Sequence, residues 1–346
     1  MATQVIRYVD TDVVGGAANG TSWANAYAKL RTGLDAAAKN IVAADEQFTF
    51  ICRASAGTLD PTNVSINETW VTDATRFVEV YAADFPADGK YDSSAYRVEQ
   101  TNSGVQFRIM TNYVRVHHIQ LQNTVTSTNN GFGFQTFGHT GASSTYIHDC
   151  IVRAISSSSG IVSGFHCGLN TPTNIYIWNC TIDGFVNGAN DDHSGIWGRY
   201  VVNNHWIFNN TVNNCKVGMD FVDDTDKVIK NNIISNCGDD IVASGLNTID
   251  YNLGEDSDGT NSQTPLGGSW ANEMVDAANG DFRLVAGGNW QYGIDNPGAG
   301  LYLDDITGAT RTATWAIGAY EAPPTGGRQL VNRGGGINSI LLTGRI

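Results

Sequence analysis

Asp191, Asp192 and His193 form a short acidic run ending in an imidazole, and Gln135, His166, Trp197 and Asp220 recur at intervals of 31, 31 and 23 residues. Arg199 follows two residues after Trp197. An indole gives a sugar ring a flat apolar face, and carboxylates, amides, an imidazole and a guanidinium can hold its hydroxyls. This set therefore has the chemistry of a glycan site. Two carboxyls about 5 to 9 Å apart could also cleave a glycosidic bond, in which case Asp192, Asp220 and His166 would carry the reaction. The plainer reading is a polar outer surface with no ligand.

Whether these side chains meet depends on the repeat that carries them. Val116 to Leu121, Ile147 to Val152, Ile177 to Ile182, Ile207 to Val212, Ile229 to Ile234 and Ile249 to Asn252 share one pattern, at intervals of 31, 30, 30, 22 and 20 residues. Each unit alternates β-branched and polar residues and has no helical period, which is the signature of a solenoid of strands. The chain reads as an all-β parallel β-helix. A second column keeps step with the first at Gly133, Gly164, Gly195, Gly218 and Asp240. Period two then sends Phe134, Phe165, Ile196, Met219 and Ile241 to the core, and Gln135, His166, Trp197 and Asp220 outward. Asp149-Cys150, Asn179-Cys180, Asn209-Asn210 and Asn231-Asn232 repeat in phase, so the asparagines are assigned to a stacked tight corner rather than to a site. Three consecutive coils carry an extra loop at the same corner, within residues 125–132, 156–163 and 186–194. Insertions gathered on one side usually build a solenoid's working face.

Composition agrees with a single long β domain. The 346 residues include 39 glycines, and 34 acidic against 20 basic side chains give a net charge of −14, which argues against duplex nucleic acid or an anionic membrane as partner. No 18-residue apolar run and no signal-peptide pattern is visible. The six cysteines lack metal spacing. Cys150 with Cys180, and Cys215 with Cys237, occupy equivalent positions, so free buried thiols are expected. Ser22 is placed to cap a helix through Trp23, Tyr27, Leu30, Leu34 and Ala37, which would plug the end of the solenoid with Trp23 in the plug's core. Phe48 to Met110 reads as one or two irregular coils.

Tyr8-Val-Asp10, residues 19–27 and Leu34-Asp-Ala-Ala37 resemble the entry segment of right-handed parallel β-helix proteins of the pectate-lyase-like superfamily, of the kind found in phage virions. Asp281 to Leu284, Asp304, Arg311 and Ala316 to Glu321 resemble the closing segment of the same proteins. The resemblance implies a right-handed helix over residues 5–321 and leaves activity open, because the superfamily includes lyases, hydrolases, adhesins and phage spikes. Its hydrolases pair Asn-x-Asp with Asp-Asp, Gly-His-Gly and Arg-x-Lys. Asn190-Asp-Asp192 and Asp239-Asp240 are similar, but His166 and His193 lack the glycine setting and no Arg-x-Lys occurs. Its lyases use calcium carboxylates. Asp220, Asp223, Asp224 and Asp226 are the carboxylates offered here, on what reads as a solvated turn, and no cofactor is otherwise implied.

Beyond Glu321 the chain changes character. Residues 322–327 form a Pro/Gly linker, and residues 328–346 hold three arginines and no acid. This tail resembles the Gly/Leu/Arg ends of phage virion proteins, with Arg328, Arg333, Ile337, Ile340, Leu341, Leu342 and Arg345 as docking residues. The organisation expected is therefore an N-terminal strand and capping helix (1–47), a β-helix with closing segment (48–321) and an anchoring tail (322–346). The function expected is a virion structural protein, such as a head decoration, spike or fibre component. It would be homo-oligomeric, with a trimer favoured, would dock on other virion proteins and would bind host-surface polysaccharide. A lyase or hydrolase is the alternative.

Overall fold

The computed structural model describes residues 2–322 except 102–103, 126–129, 138–142, 157–159, 169–172, 187–192, 199–204, 223–225, 246, 299 and 312–313. The tail with Arg328, Arg333, Ile337, Ile340, Leu341, Leu342 and Arg345 lies outside them, as do Asp191, Asp192 and Arg199. The chain is a right-handed parallel β-helix with three sheets running its length. Sheet one has nine strands in chain order: Thr3–Asp10, Glu46–Arg53, Val78–Ala82, Val114–His117, Ser143–His148, Thr173–Trp178, His205–Phe208, Lys227–Lys230 and Thr248–Asp250. Sheet two stacks Arg97–Thr101, Gln120–Val125, Ile151–Ser156, Thr181–Asp183, Thr211–Asn213 and Ile233–Ser235. Sheet three stacks Val64–Ile66, Val105–Ile109, Gly131–Thr136, Val162–Cys167, Ser194–Gly198, Val217–Phe221 and Asp239–Ala243. The first strand already pairs with the second, residue for residue from Thr3↔Glu46 to Asp10↔Arg53, so the solenoid begins at residue 3. The coils before Met110 stack as regularly as the later ones.

The repeated sixfold unit is two strands joined by a corner. His118, Asp149, Asn179, Asn209, Asn231 and Tyr251 occupy the same place in successive coils, each with φ between 49° and 57°. That left-handed conformation turns the chain from sheet one into sheet two, and asparagine and aspartate tolerate it best. The next residue faces inward and forms a column. Cys150 and Cys180 bond carbonyls two residues back (3.2 and 3.3 Å). Below them Asn210, Asn232 and Asn252 form an amide ladder in which each Oδ1 accepts from the backbone N–H one coil earlier (2.9–3.0 Å). None of the six cysteines forms a disulfide, and five of them are buried.

Phe134, Phe165, Ile196, Met219 and Ile241 lie in one continuous core, as the alternation predicts. The entry segment departs from expectation. Ser22 makes no side-chain cap, Trp23–Asn25 is a single 3-10 turn, and the α-helix is only Leu30–Ala37. Leu30 and Leu34 do reach the core. Trp23 stays half-exposed against Tyr8 and the Arg53 guanidinium, because the chain leaves helix at Ala26 and carries the indole outside the plug.

The closing segment does more than end the helix. It runs back along the asparagine corner as a strap, and Phe282, Ile306, Ile317 and Tyr320 pack with Phe85 and Ile151 in a second apolar cluster. Outward corner amides hold it: Asn209 Nδ2 donates to Ala316 O (2.7 Å), and Asn231 exchanges two bonds with Ile294 (2.8 and 2.9 Å). Arg311 sits under it, bonded to Asn179 Oδ1 and paired with Glu321 at 3.3 Å. No helix among the described residues is long and apolar enough to cross a membrane.

Candidate functional site

Sheet three brings Gln135, His166, Trp197 and Asp220 into one in-register ladder. Arg108 Nε donates to Gln135 Oε1 (3.0 Å), Gln135 Nε2 lies 2.9 Å from His166 Nδ1, and His166 stacks on Trp197 at 4.4 Å. The ladder is not a groove floor. Exposure is 7% for Gln135 and 5% for each of His166, Trp197 and Asp220, and His193 is fully buried. The reason is apolar cover: Phe132 lies 4.8 Å from the His166 ring, and Trp197 clusters with Phe132, Val105 and Ile161. Among the described residues, this face of the strand is packed beneath that cluster and presents no open indole plate. Asp226 is exposed while Asp220 is buried, and Asp223 and Asp224 lie outside the described residues.

Open hollows occur instead where the strap crosses the outer face of sheet one. Core positions there are Ile147, Ile177 and Ile207, so period two turns the flanking residues outward. Two files of rings result. Tyr146, Tyr176 and Trp206 stack at 4.9 and 4.4 Å. Tyr81, His117, His148 and Trp178 stack at 4.9, 4.9 and 4.2 Å, with Tyr302 of the strap 5.4 Å from Trp178. These separations match the spacing between strands of a sheet, so the ring faces cover one another and the edges and polar atoms point out.

Arg115, Tyr146, His148, Trp178, Tyr302 and Asp304 surround a hollow of about 370 Å³. A second hollow of about 420 Å³ shares Asp304 and adds Tyr81, His117, His118 and Thr307. Together they make an elongated groove parallel to the helix axis. Asp149 lies in it with its Oδ2 2.6 Å from His148 Nδ1, and its Oδ1 accepts from Asn179 Nδ2 (3.0 Å). Burial works to raise its pKa, but the bonds and charge supplied by His148, with His118 and Asn179, hold it below the ordinary aspartate value.

One solved structure bears a loose likeness to this chain. It is described as a crystal structure of pectate lyase Pel9A, and it aligns over 93% of this chain and 97% of its own at 14% identity and a TM-score of 0.37. A superposition that loose transfers no activity, and the fold stands on the strand order instead. No protein-family model matches the chain, and no curated protein matches it.

The groove residues were absent from the candidates drawn from sequence, although a signal for them existed. Tyr146, Tyr176 and Trp206 precede the core isoleucine in three successive units, and an outward aromatic repeated three times is uncommon on a solvated face. Tyr302 and Asp304 had no such signal, because the strap's path across sheet one is set by contacts more than 90 residues away, such as Tyr302 Oη to Asn209 Oδ1 (2.7 Å).

Proposed function

We propose that this chain is a displayed β-helix that binds an extended glycan without cleaving it, carried on a phage particle through residues 322–346. The groove of sheet one carries the binding half of that reading. It is long and shallow, and it is lined by Arg115, Tyr146, His148, Tyr302 and Asp304, whose polar atoms suit sugar hydroxyls while the ring edges exclude water from the contact. Asp149 is tied up as a hydrogen-bond acceptor from His148 and Asn179, and the absence of cleavage is the part of the reading that the product assay decides. The virion half rests on the likeness of the arginine-bearing tail to phage virion ends.

Binding is tested by co-sedimenting the protein with host-surface polysaccharides and titrating oligosaccharides made from any that bind. Arg115→Ala and Tyr146→Ala should each weaken binding at least tenfold, with no new reducing ends or unsaturated sugars in the wild-type reaction. Product formation would replace the binding reading by an enzymatic one. Particle incorporation unchanged by deletion of residues 322–346 would remove the virion half.

A further inference from the structure

The last coil breaks a rule that the four coils before it obey, the column having begun after Gln106. At Gly133, Gly164, Gly195 and Gly218 an added Cβ would stand 2.5 to 2.7 Å from a carbonyl oxygen of the next coil, so these positions take no side chain. The fifth place in that column is Asp240, fixed by the register Val217↔Asp239 and Met219↔Ile241. Among the described residues, sheet three ends at this strand. Residues 254–258 close the space. Gly254 approaches so closely that a Cβ there would lie 2.2 Å from Asp240 Oδ2, the Asp256 N–H donates to Oδ2 (2.8 Å), and Asp258 Oδ2 accepts from Ile241 N–H (2.9 Å).

This leaves one carboxylate oxygen unaccounted for. Asp240 is 2% exposed, and its Oδ1 is buried without a hydrogen-bond partner. Carboxylate oxygens of Asp240, Asp256 and Asp258 lie within 4.8 Å of one another. Two ligands of one calcium ion stand at most about 5 Å apart, twice the metal–oxygen distance. We propose that Asp240, Asp256 and Asp258 bind one calcium ion that seals the open end of sheet three.

Three hard oxygen donors select a hard cation. They sit on a strand end and a short loop, with Asp256 exposed and Asp258 half-buried, so water can complete a six- to eight-fold shell. Magnesium requires stricter octahedral geometry and sheds its water reluctantly. Glu255 also contacts Asp240 through a side-chain hydrogen bond, which two carboxyls can make only by sharing a proton, and an ion would take that proton's place. Glu255 is already engaged, with its Oε1 accepting from Asn236 N–H and Trp270 Nε1 (2.8 and 2.6 Å).

The test uses the full chain dialysed against chelator, with calcium chloride titrated in a calorimeter and in thermal melts at constant ionic strength. One ion per chain should bind and raise the melting temperature, and magnesium chloride at the same concentrations should do so less. Asp256→Asn and Asp258→Asn should each weaken calcium binding at least tenfold, and Asp240→Asn should abolish the response. Asp256→Asn changes an exposed side chain and keeps the test available if Asp240→Asn does not fold. The proposal is overturned if the wild-type chain binds no calcium or if Asp256→Asn and Asp258→Asn both bind it normally. It is also overturned if Asp240→Asn is stabilised while calcium has no effect on the wild type, which would show that a shared proton serves in place of an ion.

Discussion

At the scale of single residues, polar groups in this protein are chiefly devices for satisfying buried backbone. Asn232 shows it: its Oδ1 accepts from Asn210 N–H and Nδ2, and its Nδ2 donates to Ile207 O and Asn252 Oδ1. Asn232→Ala should therefore cost about 1–3 kcal/mol or more, since several buried partners lose their bonds at once, a loss readable in urea unfolding. Trp197→Ala belongs to the same class. With the indole packed against Phe132 and His166, the change should cost about 3–5 kcal/mol and leave glycan affinity of the folded protein unaltered; a selective loss of binding would restore the sheet-three ladder as a site. Asp281 supplies a pH dependence. Hydrogen bonds from Arg283 Nε and Nη2 (2.8 and 2.5 Å), aided by Lys90, hold its pKa below the ordinary value near 3.8. A depressed carboxylate stabilises the fold above its unfolded pKa, and that part is lost as pH falls through the folded value. Because Arg283 is half-exposed, the contribution should stay below about 1 kcal/mol. Asp281→Asn should flatten the stability profile only below about pH 4.

At the scale of the element, the coil is legible in sequence wherever its geometry is repeated. The core column, the left-handed asparagine corner and the glycine column each recur in phase, because stacked strands put the same steric demand on the same position every turn. Gly164 makes the demand concrete: a Cβ there would meet Gly195 O at 2.6 Å and Ile182 Cγ2 at 2.7 Å. Gly164→Ala should lower stability by about 1–3 kcal/mol, whereas Gly280→Ala, with open space around it but φ of 74°, should cost only its backbone strain of about 1 kcal/mol. Paired melts of the two variants separate crowding from conformation. Features that occur once were not legible. Period two correctly sent Trp197 and His166 away from the main core, but it cannot say that Phe132 and Ile161 fold over them. Nor can it place the strap, whose contacts join residues far apart in the chain. The last coil is the intermediate case, since Asp240 in a glycine column is visible in sequence and its meaning needs the loop that covers it.

For the whole molecule, the strap changes what kind of solenoid this is. A stack of coils with nearest-neighbour contacts alone can fray from either end. Here Tyr320 Oη donates to Gly89 O (2.7 Å), while Gly318 N–H donates to Asn231 O (2.7 Å) and Ala319 N–H to Thr211 Oγ1 (3.1 Å), so one segment ties early coils to late ones. The Arg311–Glu321 pair fastens it, with 0% and 4% side-chain exposure, and Glu321 Oε2 also accepts from Ala316 N–H (3.0 Å). Removing one partner of a buried ion pair leaves the other uncompensated, at a cost of about 3–5 kcal/mol. Glu321→Gln should thus release the strap before the coils. In hydrogen exchange, amides of residues 300–320 should lose protection while Ile147, Ile177 and Ile207 in sheet one keep theirs. The intact protein should melt in one thermal transition, and that of the variant should split in two. If the variant still melted in one step, with exchange hastened equally everywhere, the strap would be a passenger on a coil stack that is cooperative without it. The groove of sheet one is bounded by that strap, so loss of Arg115-dependent glycan binding in Glu321→Gln at temperatures where the coils remain folded would tie the binding surface to the same fastening.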